Sequence, residues 1–283
     1  MATRYINKKT AKLYTNVTAG GYEQILIYGE EVKTSGHAQN GRIKALYRNK
    51  YEGFVKTAEL MTKGELEIYF IDVGQGDAAL VVTPNRKKIL IDGGANGQAK
   101  GFLQWKYQLA DLTSPNLVID IMVLSHADGD HLKGLIDILE HPKIEVLQII
   151  HNGIGLFSGM DQKSGNLSAD GKYLETYHSQ LSDFQSLTLR NTFDDWIALI
   201  DQKNISYTSV SHETGFFDTG DPKVKMEILG PILEKDPNGD PRFKWFKNHP
   251  HTINGHSVVF SLHYEGVRML FSGDVNIEGS KYL

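Results

Sequence analysis

The apolar run Ile121-Met122-Val123-Leu124 is followed at once by the polar stretch Ser125-His126-Ala127-Asp128-Gly129-Asp130-His131. The run reads as a buried strand, and Leu132, Leu135, Ile136 and Leu139 recur at helical spacing, which predicts a helix directly after it. A polar loop between such a strand and helix lies where α/β proteins place their chemistry. This loop carries two histidines and two aspartates, His126, Asp128, Asp130 and His131. Neutral imidazoles and hard carboxylate oxygens in that density can hold two divalent cations at neutral pH. Gly129 is expected to make the tight turn. A loop that merely caps a helix needs one acidic residue, and leaves the second aspartate and both histidines unexplained.

Composition narrows the setting. With 283 residues, 40% of them hydrophobic, and a formal net charge of −4, the chain is long enough for one sizeable core and a small additional module. It contains no apolar run long enough to span a bilayer, and Met1-Ala2-Thr3-Arg4-Tyr5 lacks the apolar core of a signal peptide. No membrane partner is therefore expected, and a cytoplasmic location is. The absence of cysteine rules out disulfides and thiolate metal sites and fits a reducing compartment. Mild acidity argues against a generally basic nucleic-acid surface, while leaving room for a local positive groove.

Two regions differ in texture. Residues 1–62 hold short β-prone pieces such as Gln24-Ile25-Leu26-Ile27-Tyr28 and Arg42-Ile43-Lys44-Ala45-Leu46-Tyr47, separated by glycine and polar turns, which predicts a small β-barrel. Residues 63–283 form the expected second domain. There, Asp72 to Asp77 contains Gly-x-Gly, but the following Ala79-Leu80-Val81-Val82 is a strand where a dinucleotide fingerprint needs a helix. Asp72, Asp77 and Asp92 sit in loops expected to face the site, and Asp92, at the end of Ile89-Leu90-Ile91, suits a carboxylate that orients a ligand histidine through its other ring nitrogen. Helices are predicted over 97–113 and 192–203, a mobile loop over 153–172, and a strand over 224–231.

Further segments carry a family resemblance. His-x-Asp-x-Asp-His after an apolar strand resembles the metal-binding loop of the metallo-β-lactamase superfamily, in the variant of the ComEC-like soluble domains. Tyr69-Phe70-Ile71-Asp72-Val73-Gly74-Gln75-Gly76-Asp77 with Ile89-Leu90-Ile91-Asp92-Gly93-Gly94 is similar to the family's opening strands, and Met269-Leu270-Phe271-Ser272-Gly273-Asp274 resembles its bridging-aspartate strand. The resemblance implies an α/β (α+β) fold, an αββα sandwich from about Leu66 onward. In the phrase Tyr51 to Leu60, the first region resembles the end of a bacterial Src-homology-3-like domain, which implies a protein partner for the barrel.

By the same resemblance His126 and Asp128 serve one metal, Asp130 and His131 the other, and Asp274 bridges both, with His256 as a further ligand and Asp130 as the catalytic carboxylate. Asp128 stands where the commonest family pattern has histidine, which hardens one site and leaves the two ions as zinc or manganese. A water shared by two such cations is acidified to a hydroxide nucleophile. The family's later His-His-Gly-Ser run has no counterpart here, so a C-terminally incomplete sandwich is expected.

Three functions follow as expectations. The first is a phosphodiesterase or nuclease acting on nucleic acid, with Arg242, Lys244 and Trp245 in the basic-aromatic segment Arg242-Phe243-Lys244-Trp245-Phe246-Lys247 as strand contacts. The second is a hydrolase of a small ester, lactone, lactam or cyclic nucleotide. The third is a non-catalytic assembly or binding subunit.

Overall fold

A computed structural model describes residues 1–175 and 177–283, with Asn191 described by its backbone alone. The chain divides into two compact units, one of Met1–Glu67, Val82–Arg86 and Phe102–Leu117, the other of Ile68–Val81, Lys87–Gly101 and Val118–Leu283.

The first unit is built on seven short strands, β1 (Ala2–Ile6), β2 (Thr10–Tyr14), β3 (Tyr22–Ile27), β4 (Glu31–Gln39), β5 (Arg42–Tyr47), β6 (Tyr51–Lys56) and β7 (Leu60–Met61). Alternation along them turns Ala11, Leu13, Leu26, Val32, Ala45 and Val55 into one buried cluster. Asn40 and Gly41 both have positive φ, 48° and 73°, the geometry of the two-residue turn that joins strands with right-handed twist, and Gln39 pairs with Arg42 across it. The sheet runs β3-β2-β6-β5-β4-β1-β7. Among the described residues nothing pairs β3 with β7, so the expected barrel is an open antiparallel sheet. Its last strand is two residues long and bonds only β1, too short to close the ring.

The second unit contains a six-stranded sheet in the order β14-β12-β11-β10-β9-β8. Its strands are β8 (Glu67–Phe70), β9 (Ala79–Val82), β10 (Lys88–Ile91), β11 (Leu117–Val123), β12 (Ile144–His151) and, beyond the two-residue β13 (Tyr173–Leu174), β14 (Ser206–Ser209). β10 runs parallel to β11, and β12 to β14. Helix α1 (Gln98–Tyr107) ends earlier than predicted, because Gln108 adopts a left-handed φ of 54° and Leu112 is 92% exposed. Helix α2 (Gly129–Leu139) buries Leu132, Leu135, Ile138 and Leu139 together with His131 and Gly134; Ile136 lies at the edge of that stripe.

After the four-residue α3 (Ser182–Gln185), helix α4 (Asn191–Gln202) buries Phe193, Trp196 and Ile200. The expected loop over 153–172 is irregular yet packed: Ile154 and Phe157 are fully buried, and isolated bridges tie Phe157 to Leu189 and Leu167 to Leu174.

The remaining strands are β15 (Phe216–Asp218), β16 (Lys225–Gly230), β17 (Glu234–Lys235), β18 (Pro241–Lys244), β19 (Val259–Tyr264) and β20 (Val267–Phe271), with helix α5 (His249–Gly255) before β19 and α6 (Ile277–Ser280) after β20. β15-β16-β19-β20 form an antiparallel sheet, and β13-β18-β17 a small one. The second unit is thus α/β, with helices between strands of a six-stranded sheet and a separate antiparallel sheet. Among the described residues no helix is long and apolar enough to cross a membrane.

Candidate metal centre

The strand β11 delivers Ser125 and His126 just past its carboxyl end, and α2 begins three residues after His126. Asp128 occupies the N-cap with extended backbone, φ −69° and ψ 145°, and its carbonyl accepts from His131 N and Leu132 N at 3.0 Å. Its side chain makes no capping bond. The carboxylate is left for other partners, with Oδ2 at 3.7 Å from His126 Nε2. Turning the Asn254 amide so that its nitrogen faces acceptors lets it donate to that same Oδ2 at 3.1 Å. The turn itself is made by this extended Asp128; Gly129 is simply the first helical residue and needs no left-handed φ.

A chain of hydrogen bonds fixes both histidines. Asp92, 1% exposed, accepts Ser125 N on Oδ1 at 2.8 Å, and accepts the Ser125 hydroxyl on Oδ2 at 2.7 Å. The same Oδ2 lies 2.9 Å from His131 Nδ1. Because a carboxylate only accepts, His131 carries its proton on Nδ1. The Ser125 hydroxyl spends its one hydrogen on Asp92, so at 3.0 Å it accepts from His126 Nδ1. Each ring thereby turns the lone pair of Nε2 outward from the bond that orients it, the arrangement in which outer carboxylates prepare metal-ligating histidines.

Those two nitrogens converge. The rings lie 4.2 Å apart between centroids, both side chains are buried, and neither Nε2 has a hydrogen-bond partner among the described residues. Ligand atoms of His126, His131 and Asp274 all fall within 4.8 Å of one another. Two orphaned buried lone pairs beside a carboxylate fit a divalent cation, which satisfies all three at once. Electrostatics separate the two rings. Burial, reinforced by the His131 charge, holds His126 neutral, down to about 4. At His131 burial opposes the charge, but Asp274 and Asp92 outweigh it and push the ring up to about 10. A proton on Nε2 and a cation compete for that one lone pair. Asp274, 3.5 Å from His131 Nε2, is held below the usual carboxylate range by that imidazole.

Close backbone contact sets this geometry. Asp92 has a left-handed φ of 53°, and Gly93 and Gly134 let the loop touch α2: Gly93 N donates to His131 O at 2.9 Å, and Gly134 N to Gly94 O at 3.0 Å. A Cβ on Gly134 would stand 1.8 Å from Gly93 O. Gly273, with φ 49°, places Asp274 by packing on Ser125.

The other candidate residues are distributed as follows. Asp130, half-buried, accepts Gln75 Nε2 on Oδ2 at 3.1 Å and lies outside the three-residue group. Asp72 is exposed and accepts Gly74 N at 3.1 Å, which shapes its own turn. Asp77 is raised by burial and then by Asp92, Asp274 and Asp130, against the opposing charge of His131. His256 is not brought to the group: its Nε2 donates to the Lys244 carbonyl at 2.8 Å, and its ring stacks on Phe246. A turn-stabilising role thus stands where a ligand was expected. In β18 the alternation puts Arg242 and Lys244 on one side, over the Tyr173 ring at 3.5 and 4.7 Å, while Phe243 is buried and Trp245 packs beside it against Ile154, Leu174 and Ile253. Trp245 is itself partly buried by that packing. Ser125, Gly93 and Gly134 escaped the sequence reading; the signal lay in the Asp-Gly-Gly and Ser-His pairs, whose partners are distant in the chain.

A sequence model of the metallo-beta-lactamase superfamily matches residues 71–283. Among solved structures, a HARLDQ-motif mutant of a metallo-beta-lactamase from Cronobacter sakazakii (Enterobacter sakazakii) is similar at 12% identity, over 72% of this chain and 60% of that one, with a TM-score of 0.36. The match thus spans less than two thirds of that protein's length. No curated protein matches.

Proposed function

The chain belongs to the metallo-beta-lactamase superfamily, and from that premise we propose that it is a metal-dependent phosphodiesterase of the ComEC-like type that cleaves nucleic-acid strands. The observation that carries the reading is the convergence of His126, His131 and Asp274 with both histidine Nε2 atoms unsatisfied. In the proposal His126 and Asp128 hold one zinc or manganese ion, Asp130 and His131 a second, and Asp274 serves both. Bound there, divalent cations supply Lewis acidity at a phosphoryl oxygen and an activated water.

The chain's own residues do the rest. Asp92 and Ser125 hold the imidazoles in the tautomer that leaves Nε2 free, and Asn254 and Gln75 steady the Asp128 and Asp130 carboxylates. The carboxylate-rich loop favours oxygen-loving cations, which suits phosphoryl chemistry. Lys163, whose charge acts on Asp128, puts positive potential beside the acidic cluster, where a polyanionic strand needs it.

The test is metal content by elemental mass spectrometry, followed by degradation of single-stranded DNA, for the wild type and His126→Ala. Bound metal with DNA cleavage, both lost in the variant, is the expected result. Bound metal with turnover of a carboxylic ester or lactone and no phosphodiester cleavage would overturn the substrate assignment; no bound metal would overturn the whole reading.

A further inference from the structure

A cavity of about 180 Å³ opens in the second unit at the edges of β8 and β20. By the same measure a single water needs only about 10–15 Å³, so the space takes a ring-sized group. Its lining is mixed: Phe70, Ile91, Leu270 and Phe271 supply apolar surface, and Asp77, Asp92 and Ser272 supply polar surface. Asp92 is the residue that holds His131, and Gly273 directly precedes Asp274, so the cavity adjoins the metal centre.

Phe70 is 74% exposed and Leu270 62%. Large apolar side chains left in water at the mouth of a cavity beside a reactive centre mark a binding surface. Phe70 and Phe271 stack with planes 24° apart and centroids 6.4 Å apart, which presents the other face of Phe70 to solvent as a flat platform. Asp77 can accept from a ligand N–H at the rim and offers nothing to an acyl chain, which would only desolvate it.

We propose that this cavity is a nucleobase subsite: a base carrying an exocyclic amino group stacks on Phe70, rests against Leu270 and donates to Asp77, while its phosphate lies toward the metal centre. The assignment rests on the phosphodiesterase reading for the direction in which the nucleotide lies. Base–aromatic stacking tolerates sequence, since every base has a π-face, so the subsite would grip a strand without reading it closely. Asp77 adds the one preference, for the three bases with an exocyclic amino group, adenine, cytosine and guanine, over thymine, whose one donor is its ring N3–H.

Two measurements test it on the full chain. In the first, saturation-transfer NMR with adenosine monophosphate reads binding without turnover. Transfer to the base protons is expected, with affinity falling about fivefold to a hundredfold in Phe70→Ala and Leu270→Ser, and weaker binding of thymidine monophosphate. Absence of transfer to the base, or transfer undiminished in both variants, would overturn the subsite whether or not the protein is active.

The second compares the para-nitrophenyl ester of deoxyadenosine monophosphate with methyl para-nitrophenyl phosphate, which shares the leaving group and lacks the base. The ratio of their kcat/KM values should collapse at least about fivefold in Phe70→Ala. An unchanged ratio with both esters hydrolysed defeats the subsite and leaves the phosphodiesterase reading standing. Hydrolysis of neither defeats that reading, and the NMR result still decides the cavity.

Discussion

Asp92 and His131 are joined at 2.9 Å across 39 residues of chain, and the same Asp92 oxygen takes the Ser125 hydroxyl at 2.7 Å. One buried carboxylate thus sets the orientation of one histidine directly and of the other through a serine. The metal centre depends on this support as much as on its ligands.

Replacing Asp92 with Asn removes the acceptor that two donors share. One amide oxygen cannot replace both carboxylate oxygens, and the amide nitrogen faces either Ser125 N or the Ser125 hydroxyl and His131 Nδ1. Metal affinity is expected to fall by about 10–100-fold, the usual cost of losing such a partner. Competition titration against a chelator measures it, and affinity equal to wild type would contradict the role.

Ser125→Ala should act more narrowly. It leaves His126 Nδ1 buried without its acceptor, at a cost of about 1–3 kcal/mol in stability, while His131 keeps Asp92. Urea denaturation of the metal-free protein reads that cost, and proton NMR of the two rings should show His126 perturbed and His131 little changed.

Gly134→Ala places a methyl 1.8 Å from the Gly93 carbonyl oxygen, so α2 and the Asp92 loop must separate. A loss of at least about 1–3 kcal/mol is expected, together with weakened metal binding. Gly101→Ala is the control: it sits within α1 with nothing near its added Cβ, and should stabilise by about 0.5–1 kcal/mol. Equal effects of the two changes in thermal unfolding would refute the packing argument.

Burial holds His256 down to about 4 and His151 to about 3, from an ordinary value of about 6.5. The unfolded chain therefore takes up protons first as the pH falls. These neutral rings contribute their full stability above about pH 6.5, and the contribution is lost as the pH drops toward 4 and then 3. Each should be worth roughly 3–5 kcal/mol over that window. His256→Gln should flatten the slope of unfolding free energy between those limits in chelator-treated protein. An unchanged slope would mean that His256 is already accessible to protons in the folded state.

What local chemistry dictates is legible along the chain. An apolar strand, an acidic-imidazole loop and a helix read directly from residues 121–139 because period and side-chain type are local properties. Alternation likewise gave the strands of the first sixty residues, and spacing gave α4. The remainder depends on contacts between distant segments. Whether seven strands close or stay open depends on pairing between β3 and β7, which no local pattern encodes. Whether His256 faces a metal or a carbonyl depends on where β18 passes, twelve residues before it. The convergence of His126, His131 and Asp274, and the Asp92–Ser125 support behind it, join segments that only folding brings together, through backbone contacts at Gly93 and Gly134 that any side chain would forbid. A ligand's identity is written in its residue; its partners are set by close packing between distant parts of the chain.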